Sequence, residues 1–216
     1  MAATATPYGL KPINLIGGQA FNGGSIREYP MTVNSSVAIY NGDVVQIANG
    51  QPVAIAATPV GATTAGIIGV AVGVSYTDPV LKYTVFSQYL PANAVTNGYT
   101  NIRVRVNTDP DQLYMIQGSA AFGTLTNGVY GAVGKNAALA NFGGNAATGN
   151  STIHLLVGTN GASLATTATL AMRIVDVVNL AQIGNNTNTP SPSDAFPEII
   201  VKFNQGVHSY LFATGS

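Results

Sequence analysis

Short apolar runs rich in β-branched residues, separated by turn-forming pairs, recur along the chain and constrain its fold more than any other feature. Asn41-Gly42-Asp43 and Asn49-Gly50 are strong turn signals, and they flank the strand-like residues 44–47. A second apolar run, 52–55, follows the later turn. This region therefore predicts a β-hairpin.

Two other runs predict how strands are buried. Residues 67–74 form a continuous apolar run that contains Gly69 and Gly73. Such a run predicts a strand buried on both faces, with glycine where another backbone comes close. In 102–106, apolar residues alternate with Arg103 and Arg105. The period of two predicts a strand with one buried face and both arginines on the other face.

The remaining strand signals complete an all-β prediction. They lie at 82–89, 113–117, 153–157 and 198–203. The strongly apolar residues 170–180 are compatible with either a helix or a strand, and their β-branched side chains favour a strand. The Gly/Ala/Asn-rich stretch 131–151 predicts a loop or a weak hairpin. The wider region 118–151 has room for short strands around Val129-Tyr130 and Ala138-Leu139. No long helix is indicated, so residues 26–216 are expected to form one compact β-barrel or sandwich.

Residues 1–25 carry a different pattern. Pro7 and Pro12 disfavour helix, and two Gly-Gly pairs would break a regular element. The segment is expected to be an extended N-terminal arm that is disordered or lies across a neighbouring molecule. Tyr8 supports the second alternative, because an arm cannot bury an aromatic side chain without docking.

The small number of charged residues limits the functions that can be expected of the chain. Charged residues make up 7% of the chain and the formal net charge is zero, whereas an ordinary domain has about 25% charged residues. Neutral surfaces are typical of interface cores, so much of this surface is expected to be covered in the working state. A nucleic-acid-binding surface would need clustered Lys and Arg, and no run approaches the ~20 apolar residues of a membrane span.

Candidate catalytic groups are few. The chain has no cysteine and two histidines, His154 and His208, neither of which lies in a recognisable catalytic motif. Asp109 and Asp111 flank a proline, which is typical of an Asx turn and supplies too few ligands for Ca²⁺. The expectation is a protein that is not an enzyme and holds no cofactor or metal.

Arg103 and Arg105 leave two alternatives open. They could pair with carboxylates on a neighbouring strand or on another subunit, or they could form a solvated face. Two charges would give only weak, salt-sensitive phosphate binding.

Several motifs, taken in order, resemble the head decoration (cement) proteins of tailed phages, especially short-tailed phages of aquatic bacteria. The opening Tyr8-Gly9-Leu10-Lys11-Pro12-Ile13 is similar to the start of that family. The later motifs are 29–33, 41–45, 68–73 with Tyr76, Asp109-Pro110 followed by 114–117, and 199–204 with His208. The similarity covers most of the chain, but the stretch 131–151 has no counterpart in the pattern.

The resemblance implies a virion structural protein on the outer surface of an icosahedral capsid, made in the host cytoplasm. Its partner would be the major capsid protein, whose lattice it would cement, often as a trimer. Residues 1–25 would be the capsid-binding arm and 26–216 the decoration domain. The candidate capsid or subunit interface is Tyr8, Gly9, Leu10, Lys11, Pro12, Ile13, Arg103 and Arg105.

The resemblance also yields a test and leaves an alternative. Deleting residues 2–16 is expected to weaken capsid attachment while the β core stays folded. The alternative function is a head fibre or a lectin-like surface module. In that case Tyr99, with Asn97 and Asn101, would form a platform for a sugar ring.

Overall fold

The computed structural model describes residues 5–20, 25–55, 67–122, 125, 128–168, 170–178, 196–204 and 208. Their fold is nearly all β, as predicted, with two six-stranded antiparallel sheets in a sandwich-like arrangement. Within these residues the helical elements are two 3₁₀ turns, Gly128–Ala132 and Thr159–Gly161. No helix in the described part is long and apolar enough to cross a bilayer.

The first sheet joins strands from both ends of the sequence. With strands numbered β1 to β16 in chain order, it runs β1-β10-β16-β15-β11-β14. The strands are β1 (Lys11–Leu15), β10 (Gln112–Gln117), β16 (Glu198–Phe203), β15 (Met172–Val177), β11 (Asn136–Ala140) and β14 (His154–Leu156). The sheet curls, because the Ser119 N–H donates to the Leu155 carbonyl at 2.9 Å and so brings β14 back to the end of β10.

The second sheet runs β2-β9-β6-β4-β5, and β7 pairs with the second half of β6. Its strands are β2 (Ile26–Met31), β9 (Thr100–Asn107), β6 (Ile67–Thr77), β4 (Val44–Ala48), β5 (Gln51–Ala54) and β7 (Thr84–Ser87). The Gln51 side chain accepts the backbone N–H groups of Thr32 and Val33 at 2.7 and 2.8 Å. This contact draws β5 toward the end of β2, so this sheet also curls.

Two short strand pairs lie outside the sheets. They are β3 (Ile39–Tyr40) with β8 (Tyr89–Leu90), and β12 (Gly144–Asn145) with β13 (Asn150–Ser151). Within the stretch 131–151, the predicted weak hairpin is present as β12–β13, and Ala138-Leu139 lies in β11. Val129-Tyr130, however, lies in a 3₁₀ turn rather than in a strand.

Two hydrophobic cores explain the apolar run 67–74 of strand β6. Ile67 and Val70 contribute to the core shared with the first sheet, whereas Ile68, Ala71 and Val74 contribute to the core inside the second sheet. The predicted burial on both faces is confirmed. The β4–β5 hairpin is also confirmed, with Val45 opposite Ala54.

A glycine in β6 lies where the sequence predicts a close backbone approach. Gly69 has φ +147°, and a Cβ atom there would lie 1.7 Å from the Asn107 carbonyl oxygen. No side chain fits at this position. The close approach of the Asn107 carbonyl explains why a glycine interrupts the apolar side chains of β6 at this position.

Candidate functional site

The segment expected to be a free arm is part of the first sheet. Lys11–Leu15 forms β1 and pairs antiparallel with β10. Leu10 is 1% exposed and packs in the core between the sheets, and its N–H donates to the Gly42 carbonyl at 3.0 Å. For the described residues 5–20, an extended arm separate from the β domain is therefore not confirmed, because β10 supplies an unpaired edge within the same chain.

Gly9 and Gly42 explain why the Tyr8-Gly9 and Asn41-Gly42-Asp43 motifs occur together. Gly9 has φ +76°, and a Cβ there would lie 2.6 Å from the Ser151 Cβ and 2.8 Å from the Gly42 oxygen. A Cβ on Gly42 would lie 3.0 Å from the Leu10 nitrogen. The two glycines let the N-terminal segment cross the turn before β4 at backbone contact.

Tyr8 also lies against its own domain. Its hydroxyl donates to Glu198 Oε1 at 3.1 Å, and the Lys11 ammonium lies 3.9 Å from the centre of its ring. Burial, together with the negative charge of Glu198, raises the pKa of the Tyr8 hydroxyl. The contacts of Tyr8, Gly9 and Leu10 are thus intramolecular, while Lys11 remains exposed and Pro12 and Ile13 are half-buried.

Arg103 and Arg105 lie on the outer face of β9. Arg105 Nε donates to Glu28 Oε1 at 3.0 Å across the β2–β9 pair, so for this residue the predicted partner on a neighbouring strand is found. The Arg105 guanidinium also lies 5.0 Å from the centre of the Phe86 ring. Arg103 is exposed. Both partners of this pair are partly exposed, so it contributes little to stability.

An exposed apolar surface adjoins these arginines. Four large side chains of the β6–β7 hairpin are exposed: Val80 (82%), Leu81 (53%), Tyr83 (58%) and Phe86 (68%). We call these four residues the hairpin patch. Singly exposed apolar residues are ordinary, but four of them within seven positions are typical of an interaction site.

The tip of the hairpin is ordered by Asp78. Its Oδ1 accepts the N–H groups of Val80 and Leu81 at 2.8 and 2.9 Å. Its backbone accepts from Lys82 N–H at 3.0 Å and donates to the Tyr83 carbonyl at 3.2 Å. The apolar side chains are therefore presented by a preorganised turn, which lowers the entropy cost of binding.

Sequence reasoning missed the hairpin patch as an interaction site. Residues 82–89 were expected to form a strand, and β7 confirms its existence, but a short apolar run does not show which side chains a neighbouring layer covers. The available signal was the Asp78-Pro79 turn, followed by Val80 and Leu81 where a turn is usually polar.

The three side chains considered for a sugar platform are engaged within the protein. The Tyr99 ring packs edge-on against Tyr76, with centroids 5.0 Å apart, and is half-buried. The Asn97 amide donates to the Ala92 carbonyl at 3.4 Å, and the Asn101 amide donates to Thr77 Oγ1 at 3.2 Å. The Tyr99 ring is therefore partly covered by the protein's own side chains.

The two histidines lie in separate environments. His154 lines a groove of about 270 Å³ together with Gln117, Ser119 and Asn141, and no carboxylate lines that groove among the described residues. His208 is buried beside Phe203. Burial lowers the pKa of both imidazoles.

The acidic pair forms a turn, as the sequence predicts. Asp109 Oδ1 accepts the Asp111 N–H at 2.8 Å, and Asp111 binds Lys202 Nζ at 2.6 Å. That ion pair lies in a groove of about 480 Å³, which Ile16, Arg173 and Phe203 also line. Among the described residues, no group of three or more His, Asp or Glu side chains is placed to hold a metal ion.

Comparisons of the chain with family models, with curated proteins and with solved structures gave no match. The functional interpretation therefore depends on the geometry of this chain and on its sequence pattern.

Proposed function

We propose that this protein is a non-enzymatic structural component of a virion that binds the outer surface of an icosahedral capsid and stabilises the lattice of the major capsid protein. The hairpin patch carries the proposal, because it is an ordered apolar surface on a chain with 7% charged residues. Protein interfaces have apolar centres depleted of charge. The sequence resemblance to decoration proteins supplies the identity of the partner.

Binding to an assembled shell explains why a modest surface suffices. A ligand that binds only the assembled lattice stabilises that lattice by mass action. When many copies attach to one shell, the weak contribution of each is multiplied. A patch of four apolar side chains fits this role better than it fits a tight binary complex.

We place the proposed contact at the hairpin tip rather than at the N-terminal motif. Leu10 is buried and Tyr8 is bonded to Glu198, so neither is available without disturbing the first sheet. The tip residues Val80 and Leu81 are the better candidates, because both are exposed and held by Asp78.

Electron cryomicroscopy of particles that contain this protein is the first test. We expect density for the β domain over the capsid lattice, with residues 78–83 against a capsid subunit. Density confined to a tail or fibre vertex would contradict the proposal and favour the surface-module alternative, for which binding to a glycan array would then be measured.

Co-sedimentation with capsid shells lacking the protein tests the residues. We expect Val80→Ser with Leu81→Ser to reduce binding at least tenfold, because the double substitution removes the apolar tip. Val33→Ser is the matched control, since Val33 is 52% exposed but lies outside the hairpin patch. Equal binding by the double variant and wild type would show that the tip is not the contact.

A further inference from the structure

The outer edge of β7 presents backbone groups that point away from its sheet. The Asp78 N–H donates to the Tyr83 carbonyl at 3.2 Å, and this bond flanks the Thr77–Thr84 pair, which is therefore a non-hydrogen-bonded pair of the ladder. Because hydrogen-bonded and non-hydrogen-bonded pairs alternate along an antiparallel ladder, Val85 directs its N–H and C=O toward β6. Thr84 and Phe86 direct theirs outward, and no described backbone group bonds them there.

Apart from its short length, this edge lacks the features that normally prevent pairing with another strand. Natural edges are blunted by very short strands, charged side chains, proline or bulges. The four residues of β7, Thr84–Ser87, contain no charge and no proline, and their register with β6 shows no shift. Phe86 adds an aromatic side chain that is 68% exposed. The edge is therefore competent to accept another strand.

We propose that the occupant is the β7 strand of a second copy of this chain, paired antiparallel about a two-fold axis that passes through Val85. This register places Thr84 opposite Phe86 of the second copy, and Val85 opposite Val85 of the second copy. All outward N–H and C=O groups of Thr84 and Phe86 in both copies then pair with each other. The eight strands β2-β9-β6-β7 and their symmetry mates become one continuous sheet.

Two observations favour a second copy over an unrelated strand. The edge is self-complementary, because the register pairs a β-branched side chain with an aromatic one twice, which is a stabilising cross-strand combination. The chain also has zero net charge, so two copies approach without net repulsion. In an isologous pair of this kind, the β6–β7 hairpin supplies both sides of the contact.

The contact is small, and this sets its expected strength. Stable interfaces bury about 800 Å² on each partner, whereas β7 and the exposed Tyr83 and Phe86 side chains supply less. The pair is therefore expected to be a weak, concentration-dependent dimer. It forms in the absence of a capsid, so its test is separate from that of the proposed function.

Sedimentation velocity of the purified chain tests the edge. Thr84→Pro removes an outward N–H without removing a bond to β6, whereas Thr84→Val keeps the backbone donor. We expect wild type and Thr84→Val to dimerise alike, and Thr84→Pro to weaken dimerisation at least tenfold, with all three showing the same circular dichroism. A wild-type chain that is monomeric up to about 1 mM, or a Thr84→Pro variant that dimerises like wild type, would overturn the proposal.

Cysteine cross-linking tests the register, since the chain contains no native cysteine. Val85 would face its symmetry mate in a non-hydrogen-bonded pair, with Cα atoms about 4.5 Å apart, which a disulfide can span. Thr84 and its mate would be diagonal neighbours about 7–8 Å apart, beyond disulfide reach. We expect Val85→Cys to form a disulfide dimer much faster than Thr84→Cys; equal rates, or a faster Thr84→Cys, would rule out this register.

Discussion

Asp43 lies where the N-terminal segment crosses the turn before β4, and the residue is 4% exposed. Its Oδ2 accepts the Tyr40 N–H at 2.8 Å. Burial raises the pKa of Asp43 to about 6 from 3.8, and hydrogen bonds from Ser151 and Tyr40 offset part of that effect. The folded protein therefore holds a proton on this group under conditions in which the unfolded chain has released it.

The raised pKa predicts a pH-dependent stability. Between the unfolded and folded values, the native state binds more protons, so the free energy of unfolding falls as pH rises from about 4 to about 6. Asp43→Asn keeps the acceptor for Tyr40 but cannot ionise. Urea unfolding from pH 4 to pH 8 should show wild type losing on the order of 2–3 kcal/mol relative to the variant across this window.

Asp176→Asn removes an exposed carboxyl group and controls for the loss of one negative charge. If the difference between wild type and Asp43→Asn is the same at every pH, burial of Asp43 does not control its ionisation.

Gly69 and Gly73 allow steric clash to be separated from backbone strain. Both have φ +147°, but a Cβ on Gly69 would lie 1.7 Å from the Asn107 oxygen, whereas a Cβ on Gly73 would lie 3.6 Å from the Ser87 oxygen. Gly73→Ala should cost about 1–3 kcal/mol from strain alone. Gly69→Ala should exceed that and prevent stable folding, as measured by chemical denaturation; equal costs would show that the backbones separate easily.

At the scale of single elements, β1 is the strand whose structure differs from the free arm expected from the sequence. Its strand pairs with β10, and Leu10, which precedes it, fills the shared core. The segment 5–15 therefore contributes to the stability of the first sheet, whatever it contributes to assembly.

Deleting residues 2–16 should therefore destabilise the β domain rather than leave it folded. Burial of Leu10 alone is worth about 2–5 kcal/mol, and removing β1 exposes an edge of β10. Denaturant unfolding of the soluble fraction measures the loss. Deleting residues 2–4 alone retains the segment 5–15 and is the matched control; a 2–16 deletion as stable as that control would restore the arm hypothesis.

Local patterns predicted the strands whose signals are local. The β4–β5 hairpin follows from Asn49-Gly50, and β9 follows from the alternation of 102–106. Glu198–Phe203 was predicted with the bounds that the structure shows. In these segments the local pattern of side chains indicates which face of the strand is buried.

The same reasoning failed where a partner strand distant in sequence decides the structure. Residues 11–15 contain Pro12 and read as irregular, but β10, about a hundred residues later, provides the edge that orders them. Proline is accepted there because β1 lies at the edge of its sheet. The hairpin patch was missed for a related reason, since the exposure of its side chains depends on whether other elements of the fold cover β7.

At the scale of the whole molecule, one of the two hydrophobic cores is shared by the two sheets. Val44, Ile67 and Val70 of the second sheet pack with Tyr114 and Ile116 of the first. Loss of either sheet would expose apolar side chains of the other, so the two are expected to unfold together.

Native-state hydrogen exchange checks this coupling. Amides of β9 and of β16 should exchange with the same free energy of opening, equal to that of global unfolding. The short 3₁₀ turn Thr159–Gly161, which has no side-chain cap, serves as an internal reference for local opening. Exchange of β9 at a distinctly lower free energy would show that the second sheet unfolds independently.

The strand order of the first sheet also has a consequence for biosynthesis. β16 lies between β10 and β15, so the middle of the sheet is vacant until residues 198–203 have left the ribosome. Until then β10 and β15 have no neighbour on their inner edges, and long-range pairing of this kind is slow. A newly made chain therefore passes through an aggregation-prone stage, and its yield in a cell should depend on chaperones and growth temperature more steeply than the stability of the finished fold would suggest.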